Sequence, residues 1–195
     1  HWEVPVSDAE QAIRMVRQHA KEWNVDPYKV GLMGASAGGH LTATLATHYN
    51  SETRPDFQIL LYPGVTMMQV TRGNTRTALL GKNPTMEQIQ KFSAELQVTP
   101  DTPQAFIALT SDDPSVAPYH GVNYYLALQK NKVPATLHIY PTGGHGWGFK
   151  DHFKYKQQWT QELEKWLREG VVFPKETAPM LRIGKTYLGT KYVAN

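Results

Sequence analysis

The 195-residue chain contains no cysteine. Disulfides and thiolate metal sites are therefore excluded, and the redox compartment is left open. No apolar run approaches the roughly eighteen residues a membrane span requires, and the first residues, which begin at His1, carry no signal-peptide pattern. Charge of one sign is never concentrated. The 20 Lys and Arg are scattered among 17 Asp and Glu for a net charge of +3, without the basic block that nucleic-acid binding uses. Internal repeats and low-complexity stretches are also lacking. What remains, 41% apolar and 19% charged residues, is the balance of a globular domain with a substantial core.

The most informative stretch runs from Val30 to Thr47, V-G-L-M-G-A-S-A-G-G-H-L-T-A-T-L-A-T. It reads as a buried strand (Val30 to Met33), a sharp turn at Ser36 and a helix of small and apolar residues. That is the context in which G-x-S-x-G exposes a nucleophile. Gly34 and Gly38 are expected to let the arms of the turn pass closely, and Ala35 and Ala37 to keep the site open. Ser36 then lies at a helix N-terminus, whose free N–H groups suit an oxyanion. The Ala37 N–H is one expected donor.

In chain order, Ser7 and Glu10 read as a capping box opening an amphipathic helix that presents Ala9, Ala12, Ile13, Val16, Ala20 and Trp23. Phe57 to Tyr62 is a short apolar strand ended by Pro63-Gly64. Residues 65 to 103 are the least regular, with a helix expected from Thr85 to Phe92 and Met86, Ile89 and Phe92 on one side. Such an insertion either shapes a pocket or is a surface excursion. Ala105 to Thr110 is a strand, and Gly121 to Lys130 a helix with Val122, Tyr125, Leu126 and Leu128 inward. Ala135 to Tyr140 is another strand. The closing helix, Phe153 to Arg168, places Tyr155, Trp159, Leu163, Trp166 and Leu167 on one face. Short apolar strands alternating with helices predict an α/β fold with a mostly parallel sheet and helices on both faces.

On such a sheet the functional loops follow the strands' carboxyl ends. Here these ends carry Ser36, then the pair Asp112-Asp113, then His145 in P-T-G-G-H-G-W-G-F. Ser, Asp, His is the order of a hydrolase triad on this architecture. His145 is the expected general base, and one of the two aspartates the group that orients its imidazole. The other would stabilise the loop. Gly143, Gly144 and Gly146 would let the histidine loop bend toward Ser36. His40 and His138 are expected to be packed, and Trp147 and Phe149 either to pack or to line a sugar or aromatic-acyl site. His138, His145 and His152 lack a metal-ligand spacing such as H-E-x-x-H, so no metal and no cofactor is expected.

G-A-S-A-G-G-H-L (34–41), L-L-Y-P-G (60–64), V-T-P-D-T-P (98–103), S-D-D-P (111–114) and V-P-A-T-L-H-I-Y-P-T-G-G-H-G-W-G (133–148) together resemble bacterial α/β-hydrolases of the acetylesterase and acetylxylan or feruloyl esterase type. These are related to the hormone-sensitive-lipase-like and prolyl-oligopeptidase branches. The resemblance covers roughly residues 5 to 168. It implies Ser36 as nucleophile and His145 as base, and the family's Asp-x-x-Val acid loop matches Asp113 to Val116, which selects Asp113 over Asp112. It further implies removal of small acyl groups, foremost acetyl, from an ester or acylated carbohydrate, without cofactor, nucleic acid or membrane.

The family's upstream strands and H-G-G-G-type oxyanion segment are not found in this sequence. Residues 1–169 are accordingly expected to be the C-terminal portion of a hydrolase domain, with 170–195 an extension that packs on the domain or a neighbour. The nucleophile strand would be a sheet edge, covered by a second chain, a homo-oligomer partner or the tail. The alternatives are a catalytically silent half-domain that needs a partner chain, and a prolyl-oligopeptidase-type serine peptidase.

Overall fold

The computed structural model describes residues 2–69 and 75–172. Four apolar segments form strands, β1 (Leu32–Ala35), β2 (Phe57–Leu61), β3 (Gln104–Thr110) and β4 (Ala135–Tyr140). They hydrogen-bond in the order β1-β2-β3-β4, every pair parallel. The intervening helices are α1 (Glu3–Gln18), α2 (Ala37–Thr47), α3 (Thr75–Leu80), α4 (Met86–Lys91), α5 (Tyr119–Lys130) and α6 (Lys156–Trp166). A 3₁₀ turn covers Ala94–Leu96, and a π-helical stretch, Leu167–Val172, follows α6. The described residues fall into two units, one up to Thr160 and one from Gln161 onward.

Strand register explains which helix covers what. Gly34, Leu60, Ile107 and Leu137 stand in one row across the sheet and share a face. A Cβ on Gly34 would lie 2.5 Å from Thr42 Oγ1 of α2, and one on Gly121 of α5 3.3 Å from Ile107. Thus α2 and α5 pack on that face. Thr110 and Tyr140 stand three rows further along the strands and so point oppositely. There Tyr140 meets Trp147, Phe153 and Tyr155, and Trp147 meets Trp159 at the start of α6. Helices therefore approach both faces. The central strands β2 and β3 are nearly wholly buried, as parallel strands covered on two sides must be. No described strand pairs with the outer edge of β1, where Met33 is 45% exposed.

Several boundaries differ from the sequence expectation. Helix α1 starts at Glu3 on an N-cap, Trp2, that gives no side-chain bond. Ser7 and Glu10 are therefore inside the helix rather than at its cap, and Glu10 pairs with Arg14 one turn on. The helix ends at Gln18, so Trp23 lies beyond it, exposed and stacked on His19. Strand β1 runs two residues later than expected, because its ladder with β2 continues to Ala35, immediately before the turn. In the 65–103 stretch α4 is present, capped by a Thr85–Gln88 capping box, with Ile89 and Phe92 buried but Met86 exposed. Helix α3 carried no readable signal.

The buried stripe of α5 is His120, Gly121, Tyr124 and Leu128, while Leu126 is 57% exposed and Val122 and Tyr125 only half-buried. The phase is set by Gly121, where a Cβ would come within 2.4 Å of Leu109, so only this side can approach β3. Tyr124 then donates to Gln58 Oε1 and Gln58 to the Pro103 carbonyl, which satisfies two buried polar side chains. β4 has the expected bounds. The tail contact expected for 170–195 falls, from residue 173 onward, outside the described residues.

Candidate active site

Three strand ends converge. Ser36 follows β1 with φ 56° and ψ −118°, a left-handed conformation that a residue with a Cβ adopts only under constraint. The constraint is visible: the Ser36 N–H donates to Leu61 O (3.0 Å), and the Ser36 carbonyl accepts from the N–H groups of His40 (3.2 Å) and Gly64 (3.2 Å). The turn is tight because β1 and α2 nearly touch. A Cβ on Gly34 would fall 2.1 Å from the Gly38 carbonyl oxygen. The second glycine expected to permit this approach, Gly38, does not play that part, since a Cβ there would meet nothing within 4 Å. Gly39 is squeezed instead, but by the chain leaving β2, with Pro63 2.7 Å from its hypothetical Cβ. Ala37 is the first residue of α2, where backbone N–H groups have no intrahelical acceptor.

The loop after β4 doubles back through Gly143, Gly144, Gly146 and Gly148, all at positive φ (146°, 62°, 77° and 43°). It delivers His145 between Ser36 and Asp113. His145 Nε2 lies 2.8 Å from Ser36 Oγ, and His145 Nδ1 lies 2.6 Å from Asp113 Oδ2. A carboxylate can only accept, so Nδ1 carries the proton and Nε2 is free to accept from the serine hydroxyl. The Asp113 side chain is 1% exposed and that of His145 22%. The other oxygen of Asp113 accepts from Ser115 N (2.8 Å) and Val116 N (2.9 Å), which fixes the carboxylate plane.

Asp112 points elsewhere. Its two oxygens accept from Gly144 N (2.8 Å) and Gly143 N (3.2 Å), and these bonds, Gly144 first, hold its carboxyl below the ordinary value. Thr110 Oγ1 donates to the Gly144 carbonyl (2.6 Å), so Gly144, beside His145, is held through both its N–H and its carbonyl. Tyr62, at φ 36°, sets its ring edge-on to His145 and to Trp147, each at 4.8 Å. Burial raises its phenol, which bonds the Gly148 backbone. Sequence alone gives neither Tyr62, though it lies in L-L-Y-P-G, nor Thr110 a place at the site, because each is an ordinary strand-end residue until the histidine loop folds over it.

The remaining residues singled out by sequence separate cleanly. His40 is buried and donates from Nε2 to the Phe92 carbonyl (2.7 Å). Its imidazole is lowered, mainly by burial. His138 stacks on Phe106 at 4.8 Å. Trp147 is 1% exposed and packed among Tyr62, Tyr140, Phe153 and Trp159, which makes it core; Phe149 is 57% exposed, one ring lying against Trp159. No group of three His, Cys, Asp or Glu side chains among the described residues could hold a metal ion. No helix among them is long and apolar enough to cross a membrane.

A parallel sheet whose first described strand turns through a strained serine into a helix, with an Asp and a His on later strand ends, defines a class. Residues 1–149 match the alpha/beta hydrolase fold family, and the chain belongs to it. Among known proteins it is 40% identical over 180 residues to an acetylxylan esterase of Xylanibacter ruminicola, a match covering 90% of this chain and 37% of that protein. It is 38% identical over 156 residues to endo-1,4-beta-xylanase B of Butyrivibrio fibrisolvens, covering 73% of this chain and 24% of that one. The solved structure of an acetyl ester-xyloside bifunctional hydrolase from Caldicellulosiruptor lactoaceticus superposes with a TM-score of 0.82 at 37% identity, covering 86% of this chain and 66% of that one. The chain thus spans about a third or less of the two sequence relatives and about two thirds of the solved one.

Proposed function

We propose that this chain carries the catalytic residues of a serine carboxylesterase that removes acetyl or similarly small acyl groups from a carbohydrate. The observation that carries the reading is the unbroken hydrogen-bond chain Ser36 Oγ, His145 Nε2, His145 Nδ1, Asp113 Oδ2, at 2.8 and 2.6 Å. As Ser36 Oγ bonds to the ester carbonyl carbon, His145 Nε2 takes the hydroxyl proton, and Asp113 stabilises the imidazolium that forms. The Ala37 N–H is one donor to the oxyanion. His145 then returns the proton to the leaving alkoxide, which departs as the alcohol. In the second half, water loses a proton to His145 as its oxygen bonds to the acyl carbon. The bond from that carbon to Ser36 Oγ then breaks, His145 returns the proton to Oγ, and the acid is released. The carbohydrate alcohol is supported by the names of the relatives, an acetylxylan esterase and an acetyl ester-xyloside hydrolase.

The test is acetate release from p-nitrophenyl acetate and from acetylated xylo-oligosaccharides, with Ser36→Ala as control. The reading expects release from both substrates and a loss of at least about 1,000-fold in Ser36→Ala. Equal rates in the two proteins would overturn it.

A further inference from the structure

The segment that leaves β2 is pinned residue by residue. Tyr62 N–H donates to Ala108 O (2.7 Å), Gly64 N–H to Ser36 O (3.2 Å), and Met67 N–H to Ser93 Oγ (2.9 Å). Between them, the N–H groups of Val65 (3.0 Å) and Thr66 (3.1 Å) both point at one atom, His120 Nδ1. A backbone N–H can only donate. Nδ1 is therefore unprotonated, and the ring's proton sits on Nε2, which finds no acceptor among the described residues. His120 is 1% exposed, Val65 0% and Thr66 4%, so neither N–H has water to turn to.

Of these acceptors His120 alone readily takes up a proton. Protonated at Nδ1, it would expel both donors and leave a cation in the interior. Its surroundings oppose that. Burial comes first, then the facing imidazole of His40 on α2, while Asp113 on the β3–α5 loop favours the charge; together they bring His120 down to about 4. Tyr119 stacks on it from its own helix at 4.5 Å, with a phenol raised by burial. Tyr124, one turn on along the same helix, is likewise raised by burial. Glu95 of the 3₁₀ turn, whose carboxyl is also raised by burial, bonds the Thr66 side chain.

We propose that neutral His120 is a positioning residue for Ser36: by holding Val65 and Thr66 it fixes Gly64 on the Ser36 carbonyl, and so maintains the strained turn that aims Oγ at His145. The inference rests on Ser36 being the nucleophile. It assigns the second buried histidine of α2 and α5 a role distinct from that of His40, whose Nε2 bonds the Phe92 carbonyl. Tyr62, whose ring edge meets His145, is carried by the same run of chain.

Two measurements test it. The first is independent of turnover: ¹⁵N and amide NMR of the chain titrated from pH 7 to about 3.5. His120 is expected as the Nε2–H tautomer at neutral pH, and the Ser36 and Gly64 amides are expected to shift with the midpoint of its protonation. Amides of Ser36 and Gly64 that ignore that protonation would overturn the proposal whether or not the chain is an esterase.

The second compares His120→Asn, whose Oδ1 can replace Nδ1 as acceptor, with His120→Phe, which offers none. Asn is expected to keep kcat within about 3-fold and Phe to lower it about 10- to 100-fold with KM nearly unchanged. Equal kcat in the two variants would overturn it. Should His120→Phe not fold, the titration of the unmodified chain decides.

Discussion

Gly34 and Gly38 flank Ser36 symmetrically in sequence, yet the structure assigns them opposite responses to one added methyl group. In Gly34→Ala the new Cβ starts 2.1 Å from the Gly38 carbonyl oxygen and 2.5 Å from Thr42 Oγ1, where ordinary contact begins near 3.4 Å. The first turn of α2 must therefore move by about 1 Å away from β1, because a backbone carbonyl cannot rotate aside as a side chain can. Overpacking of this kind costs about 1–3 kcal/mol, which in a domain of this size lowers Tm by roughly 2–12 °C. The same displacement moves Ser36 relative to His145, and a 1 Å misplacement costs about 100-fold in rate.

In Gly38→Ala nothing lies within 4 Å of the new Cβ and the residue is helical. The substitution is expected to be neutral or to stabilise by up to about 1 kcal/mol, since alanine loses less backbone entropy than glycine. Urea and thermal unfolding read the stability, and the rate of fluorophosphonate labelling reads the geometry. A Gly38→Ala variant less stable than Gly34→Ala, or a Gly34→Ala variant that labels at the unmodified rate, would refute the reasoning.

The adjacent aspartates should separate by mechanism. Asp113→Asn removes the acceptor that sets the His145 tautomer and should lower kcat about 1,000- to 10,000-fold. Asp112→Asn keeps an acceptor for one glycine N–H and should cost about tenfold or less; a larger loss at Asp112, read by steady-state kinetics, would reverse the roles. Stability should also fall on mild acidification. His120 binds its proton at about 4 when folded and near 6.5 when unfolded. Below pH 6.5 the unfolded chain therefore binds protons that the native one does not, and up to about 3 kcal/mol is lost by pH 4, with His40 adding in the same sense. Glu95, raised by burial, acts oppositely, so the comparison of urea unfolding at pH 7 and pH 5 with His120→Asn isolates the imidazole. An unchanged slope in that variant would show that His120 is not the group responsible.

Much of this arrangement could be read from the chain because its signals are local. A glycine-flanked serine between an apolar run and a small-residue helix is recognisable wherever it occurs, and β4 follows from six apolar-rich residues between Pro134 and Pro141. Its histidine loop is marked by the glycines that bend it. What could not be read is decided by packing. Tyr124 and not Tyr125 faces inward because Gly121 alone lets α5 approach Leu109. Which glycine of G-x-S-x-G-G is squeezed depends on where Pro63 arrives from the next strand. Asp112 and Asp113 are separated in the sequence only by the resemblance of the stretch Asp113 to Val116 to an Asp-x-x-Val loop. The part Asp112 plays, accepting from Gly143 and Gly144, needs the folded histidine loop. His120 sits in an unremarkable Pro-Tyr-His-Gly, and its partners are 54 and 55 residues away.

The central claim, that Ser36 is a nucleophile activated by His145, is tested most directly by intact-mass and peptide mass spectrometry after brief exposure to a fluorophosphonate. A single phosphonyl adduct is expected on Ser36, absent in Ser36→Ala and slowed at least about 1,000-fold in His145→Ala. An adduct on another residue, or labelling of Ser36 that His145→Ala leaves unchanged, would contradict it.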